Sequence, residues 1–322
     1  MQFRTEFQIN PLKHKINYKS PVLLIGSCFS EEIGNRLSHL KFRTLQNPSG
    51  IIYNPVSLAN ELNYYSKLRH FQPDELFNAG GIFRHFDFHS SLAHPDKKEA
   101  IKNINQAIEN GHQFLLSATH LIISFGTSII YKLKNGKIVA NNHKQPADNF
   151  DKMQLTVTEI ISEWNILIEK LLKLNPNLQI IFTISPVRHI KDGMVENQIS
   201  KSTLHLAINE LIKSSQTYYF PSYELMMDDL RDYRFYKSDL IHPNEIAVDY
   251  IFEKFSANCI DSSAYSIMDA IREIQTAKMH KPFFPETEEH MIFKKQMFQK
   301  AKALQEKHPE IDLGEEIKYF SD

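Results

Sequence analysis

Unbroken apolar runs alternate with stretches of helical spacing along most of the chain. Val22 to Ile25 is apolar without interruption, the pattern of a short strand buried on both faces. From Ser30 the spacing changes. Ile33, Leu37 and Leu40 fall near one face behind Glu31 and Glu32, which predicts a helix with acids in its first turn. Phe42 to Leu45 reads as a second strand closed by the turn Asn47-Pro48-Ser49-Gly50, and a helix runs from Val56 to about Leu68. Further on, the pattern predicts a helix from Lys97 to Gly111 or beyond, a strand from His120 to Phe125 and a hairpin around Asn135-Gly136. A helix from Leu155 to Leu174, a strand from Leu178 to Ile184, a helix from Ser202 to Ser214 and a strand from Thr217 to Phe220 follow. Pro243 opens a last helix of this series, through Phe255. Such alternation predicts an α/β fold, a three-layer sandwich whose mainly parallel sheet is covered on both faces.

Two stretches depart from the alternation. Residues near 70–95 hold Gly80-Gly81 and then FRHFDFHSSLAHPD, which predicts an irregular insertion near the ligand side of the sheet. Beyond about Ser263 the chain is charged and helix-favouring, with few strand signals. The expected division is an α/β domain at 1–262 and a helical C-terminal extension at 263–322.

Composition narrows the partners. The chain has 322 residues, 42% of them hydrophobic, enough to bury a full core. Its 37 basic and 38 acidic residues leave a formal charge of -1, with no excess to hold nucleic acid or an anionic membrane. Cys28 and Cys259 are too few for a disulfide framework and resemble no metal knuckle. The N-terminus lacks the apolar core of a signal peptide, and no run reaches a membrane span. The expectation is a soluble, cytoplasmic protein with no nucleic-acid or membrane partner; its oligomeric state is left open.

Two segments carry the chemistry. Gly26-Ser27-Cys28 stands between a strand and a helix, where exposed side chains meet free backbone N–H groups that stabilise a thiolate or an oxyanion. The same residues also suit a plain tight turn. Asp239-Leu240-Ile241-His242 lies in a loop before a helix, so a carboxylate can fix the tautomer of an imidazole acting as general base. Alternatively the two brace that helix. His85, Asp87 and His89 would share one face if extended, as a metal site or as the polar side of a half-buried strand; the second is preferred and no metal is expected. Asp87 and His89 remain substrate-binding or supporting candidates, as do His143, Arg188 and His189 in loops expected at the carboxyl ends of the sheet. Arg188 has a structural alternative, a buried salt bridge to Glu196.

Gly26-Ser27-Cys28-Phe29 resembles the motif for which the GSCFA family is named, with Ser30 here in place of its alanine. The likeness continues through Asn47–Pro55, Asp87-Phe88-His89-Ser90, Phe125-Gly126-Thr127, Asn141-x-His143-Lys144, Ser185–His189, Glu196-Asn197-Gln198 and the stretch from Tyr219 to His242. That family is similar, more distantly, to SGNH or GDSL-type esterases. The resemblance implies an ester hydrolase without cofactor, using Ser27 or Cys28 as nucleophile, His242 as base and Asp239 as its orienting acid. Strict register places Cys28 at the nucleophile and Ser27 where those enzymes carry aspartate. It also implies an oxyanion hole from the Gly50 N–H and from Thr127 or Asn141, since Gly126-Thr127-Ser128 replaces Gly-x-Asn. The implied substrate is a small-molecule or carbohydrate ester, such as an O-acyl or O-acetyl sugar. A non-catalytic ligand-binding or scaffold protein on the same fold is the alternative.

Overall fold

Buried along its whole length, β1 (Val22–Gly26) lies inside a five-stranded parallel sheet. The computed structural model describes residues 4–321. After β1 come α1 (Cys28–His39), β2 (Thr44–Gln46) and α2 (Pro55–Lys67). A two-stranded hairpin of β3 (Phe77–Ala79) and β4 (Ile82–Arg84) precedes α3 (Lys97–Ser117) and β5 (His120–Phe125). An antiparallel ribbon of β6 (Ile129–Leu133), β7 (Ile138–Val139) and β8 (Phe150–Gln154) is followed by α4 (Val157–Leu174) and β9 (Gln179–Ile184). The α/β part ends with α5 (Met194–Leu211), β10 (Thr217–Tyr219), the short α6 (Ser222–Glu224) and α7 (Glu245–Cys259). Three helices form the C-terminal extension: α8 (Tyr265–Met279), α9 (Glu288–Lys307) and α10 (Gly314–Ser321).

The strand order is β2-β1-β5-β9-β10. From β1 the chain steps outward to β2, then returns to build the other side from β5. The direction of winding therefore reverses between β1 and β5, and the carboxyl ends at such a reversal are where α/β sheets bind ligands.

Alternation along each strand makes the three layers. Leu23, Ile25, Leu121, Ile123, Phe125, Ile180, Phe182 and Ile184 face one core, covered by α2, α3, α4 and α5. Val22, Leu24, Ile122 and Ile181 face the other, covered by α1 and α7. Ile271, Ile274, Ala301, Leu313 and Phe320 join this second core, so the helical extension packs on the α1 side of the sheet. Lys41 reaches Glu316 at 2.9 Å across that junction.

Three differences from the sequence pattern have local causes. α5 begins at Met194, eight residues before the apolar spacing suggests. Met194, Val195 and Ile199 point outward, while Asn197, Ser200 and Lys201 form the inward face. β8 escapes notice because only Phe150 of its five residues is buried. His85 to His89 do not extend a strand: the chain turns, with the Phe88 N–H donating to the His85 carbonyl at 3.3 Å.

Candidate active site

Gly26 fixes the turn after β1. Its φ is +126°, and a Cβ there would stand 2.2 Å from the Ser124 carbonyl oxygen of the neighbouring strand. Only glycine meets both demands. Gly26→Ala is expected to cost more than about 4 kcal/mol, read as a lost or sharply lowered denaturation midpoint.

The next two side chains part company. The Ser27 hydroxyl is buried, pairs with the Ser124 hydroxyl at 2.8 Å and accepts the Phe29 N–H at 3.3 Å as the cap of α1. Cys28 is the first residue of α1 and is only partly buried, a free thiol among the helix's first N–H groups. Burial raises its proton affinity, and the Glu31 and Glu32 charges add to this; its own N–H and the Lys201 charge act in the opposite direction. Asn47 steadies the elbow, its Oδ1 accepting the Gly26 N–H at 2.9 Å.

The acid–imidazole loop folds against the same helix. Asp239 Oδ2 meets His242 Nδ1 at 2.7 Å, while Oδ1 accepts the N–H groups of Ile241 and His242, each at 2.9 Å. The His242 and Ile241 N–H groups, then the imidazole, hold the Asp239 carboxyl down to about 2. Among the described residues Asp239 is the imidazole's sole hydrogen-bond partner, which leaves Nε2 free. Lys237 lies 3.6 Å from Glu32, and Arg36 reaches Glu245 at 3.0 Å and Asp249 at 2.9 Å. These pairs tie the loop and the start of α7 to α1, whose first residue is Cys28. A cleft of about 580 Å³ opens beside Asp239, lined in part by Arg188, Met227, Tyr233, Tyr236 and Leu240.

The remaining sequence candidates divide into residues beside this centre and residues in its frame. His189 lies edge-on to Tyr53, with ring centres 5.1 Å apart. Burial first, then the Lys201 charge, lowers its pKa to about 4, so the ring is neutral near pH 7. Arg188 lines the cleft and donates to Met227 Sδ at 3.3 Å rather than pairing with Glu196. The Gly50 N–H closes the turn onto Asn47 at 2.7 Å, and a Cβ there would meet His89 at 2.2 Å. Thr127 uses its N–H on the Tyr53 carbonyl at 3.2 Å and its hydroxyl on Ser200 at 3.0 Å. Asn141 accepts the His143 N–H at 2.8 Å, and His143 in turn bonds Ser90 and the His85 carbonyl. Asp87 pairs with Tyr64 at 2.7 Å and Lys137 at 3.0 Å; His89 caps a short turn through Ser91. His85 Nδ1 accepts the Asp87 N–H at 3.1 Å and stands 3.9 Å from Asp87 Oδ2, while His89 turns to Ser91, and no group of three metal-ligating side chains converges among the described residues.

Two buried ionisable residues escape the sequence pattern. Lys201 on α5 is fully buried, donating to the Gly126 and Ser185 carbonyls, each at 2.7 Å. Continuing the buried spacing Leu204, Ala207, Ile208, Leu211 one turn backward lands on it. Glu61 on α2 is buried with Tyr65, whose hydroxyl it accepts and which also meets Ser49 at 2.7 Å. Burial raises the Glu61 carboxyl to about 7. The folded state therefore favours the protonated acid: that stabilisation is complete below the unfolded value near 4.5 and is lost as pH rises through about 7. Between these limits wild type is expected to lose about 3 kcal/mol that Glu61→Gln does not, measured by denaturant titration at several pH values.

Comparison with known proteins places the chain. No curated protein matches it. Among solved structures, a carbohydrate esterase family 3 from Talaromyces cellulolyticus is similar at 6% identity, covering 79% of this chain and 99% of its own, with a TM-score of 0.36. A Clostridium thermocellum family 3 carbohydrate esterase is similar at 10% identity, covering 80% and 98%, with a TM-score of 0.32. An acetyl xylan esterase, Est2A, from the rumen bacterium Butyrivibrio proteoclasticus is similar at 14% identity, covering 83% and 66%, with a TM-score of 0.32. Family models match far more directly, that of the GSCFA family over residues 21–255 and that of the GSCFA domain protein C-terminal domain over residues 271–322, and the chain belongs to the GSCFA family.

Proposed function

We propose that this protein hydrolyses an ester by acyl transfer through Cys28. One observation carries the reading: of two adjacent nucleophile-capable side chains at the sheet's winding reversal, Ser27 is buried as a helix cap and Cys28 stands at the helix start. Sulfur attacks the ester carbonyl, and charge developing on its oxygen faces the N–H groups at the start of α1. The resulting thioester is then cleaved by water. His242, oriented by Asp239, delivers a proton to the leaving alcohol and takes one from the attacking water. The Tyr233 and Tyr236 rings in the adjoining cleft are 5.9 Å apart and suit the flat faces of a sugar. An O-acyl or O-acetyl carbohydrate is therefore the substrate class we favour.

A second reading, ligand binding without catalysis, draws on the oxyanion side. The Gly50 N–H and both polar groups of Thr127 already have partners within the fold, so neither residue is free to join the α1 N–H groups as an oxyanion donor. Purified protein assayed on p-nitrophenyl acetate and acetylated sugars separates the two. Turnover that Cys28→Ala abolishes supports hydrolysis; sugar binding by equilibrium dialysis, with no turnover of any ester, supports the second.

A further inference from the structure

Arg188 is a charge on the cleft wall to which the fold gives no opposite charge. It lies in the loop after β9, at the carboxyl end of the sheet. The backbone is pinned on both sides of it: the Val187 N–H donates to the Ser185 hydroxyl at 3.3 Å and the His189 N–H to Asn197 Oδ1 at 2.9 Å. The guanidinium is half-buried and donates to Met227 Sδ at 3.3 Å; the Tyr236 hydroxyl reaches the same sulfur at 3.9 Å. Among the described residues that sulfur is the guanidinium's sole hydrogen-bond partner. A thioether is a weak acceptor, and it takes one of five N–H groups.

The other charges lining the cleft are matched. Arg231 pairs with Asp228 at 2.6 Å, Asp232 with Arg234 at 2.8 Å and Asp239 with His242 at 2.7 Å. Burial raises the proton affinity of the Tyr223 and Tyr236 hydroxyls, and the Arg188 charge opposes it at both. The free cation therefore acts beside one of the two rings that suit a sugar. A cation partly withdrawn from water gains from an oxygen anion what sulfur does not supply.

We propose that Arg188 binds a carboxylate on the sugar, and that the substrate is the O-acyl ester of an acidic sugar such as a uronic acid. The planar guanidinium fork matches the two carboxylate oxygens with two parallel N–H bonds. The carboxylate takes the place of Met227 Sδ on the guanidinium, and the sulfur keeps the Tyr236 hydroxyl. Asp239 lines the same cleft, so a sugar seated there lies beside the acid–imidazole pair. Arg188 holds the substrate and takes no part in the acyl transfer. The inference rests on the cleft being the sugar site of the proposed esterase, and it narrows the substrate from any acylated carbohydrate to an anionic one.

Binding of sugars that carry no ester tests this apart from hydrolysis. Methyl glucuronide and methyl glucoside differ only in a carboxylate against a hydroxymethyl group. Each is titrated by calorimetry at low salt into wild type, Arg188→Met and Arg188→Lys. Wild type is expected to bind the acid about 10- to 100-fold more tightly than the neutral sugar, a preference that added salt weakens. Arg188→Met is expected to bring the two within about threefold, and Arg188→Lys to keep part of the preference, having the charge without the fork. Equal binding of the two sugars by wild type, binding of neither, or a preference for the acid that survives in folded Arg188→Met overturns the proposal. Tighter binding of a glucose phosphate than of the glucuronide overturns it too. The wild-type ratio decides without any variant, should Arg188→Met not fold. A protein that prefers the acid through Arg188 yet turns over no acetylated uronic acid keeps this inference and loses the esterase reading. Hydrolysis of neutral acetyl sugars with no preference for the acid does the reverse.

Discussion

Cys28→Ala is expected to lower kcat/KM for ester hydrolysis at least about 1000-fold, whereas Ser27→Ala leaves the rate within about threefold of wild type. The contrast follows from where the two side chains sit. Cys28 is free and partly accessible at the first residue of α1. The Ser27 hydroxyl is committed to Ser124 and to the Phe29 N–H, below the surface of the turn. Its loss should appear as stability, about 1 kcal/mol for a missing helix cap, in the same denaturation series. Equal activity losses at both positions, with the folds intact, would contradict the assignment.

A second large effect is expected at His242. Removing the imidazole takes away the proton carrier for leaving alcohol and attacking water, so His242→Ala should lower kcat by about 100- to 10,000-fold. Asp239→Asn should lower it less, because the Ile241 and His242 N–H groups still have an oxygen to bond and keep the loop closed. The carboxyl is held down to about 2, so it stays ionised across the usable range. No acid limb above about pH 3 in the kcat profile should therefore belong to Asp239. The check is a stopped-assay pH series on wild type and Asp239→Asn.

Much of this arrangement is written in apolar spacing, because strands buried on both faces and amphipathic helices advertise themselves. His120 to Phe125 is read to the residue as β5, and the strand ahead of Gly26 differs by one residue. What spacing conveys poorly is a polar residue facing inward. α5 is read too short because its first inward turns are Asn197, Ser200 and Lys201, and with them goes the buried lysine that bonds the Gly126 and Ser185 carbonyls. The choice between Ser27 and Cys28 is equally invisible in one dimension. It depends on the Ser124 hydroxyl from a strand almost a hundred residues away. His85 to His89 mislead for the opposite reason: alternating polar and aromatic residues imitate a strand, but the chain turns there, and the His85 ring accepts the Asp87 N–H while the Asp87 carboxylate pairs with Tyr64 and Lys137.

Acid quench of the protein during turnover of an acetyl ester, followed by peptide mass spectrometry, addresses the central claim most directly. The account predicts one added acetyl group on the peptide holding Cys28, released by neutral hydroxylamine as a thioester is. Turnover with the acetyl group on Ser27, or with no covalent adduct even under single-turnover conditions, would contradict it.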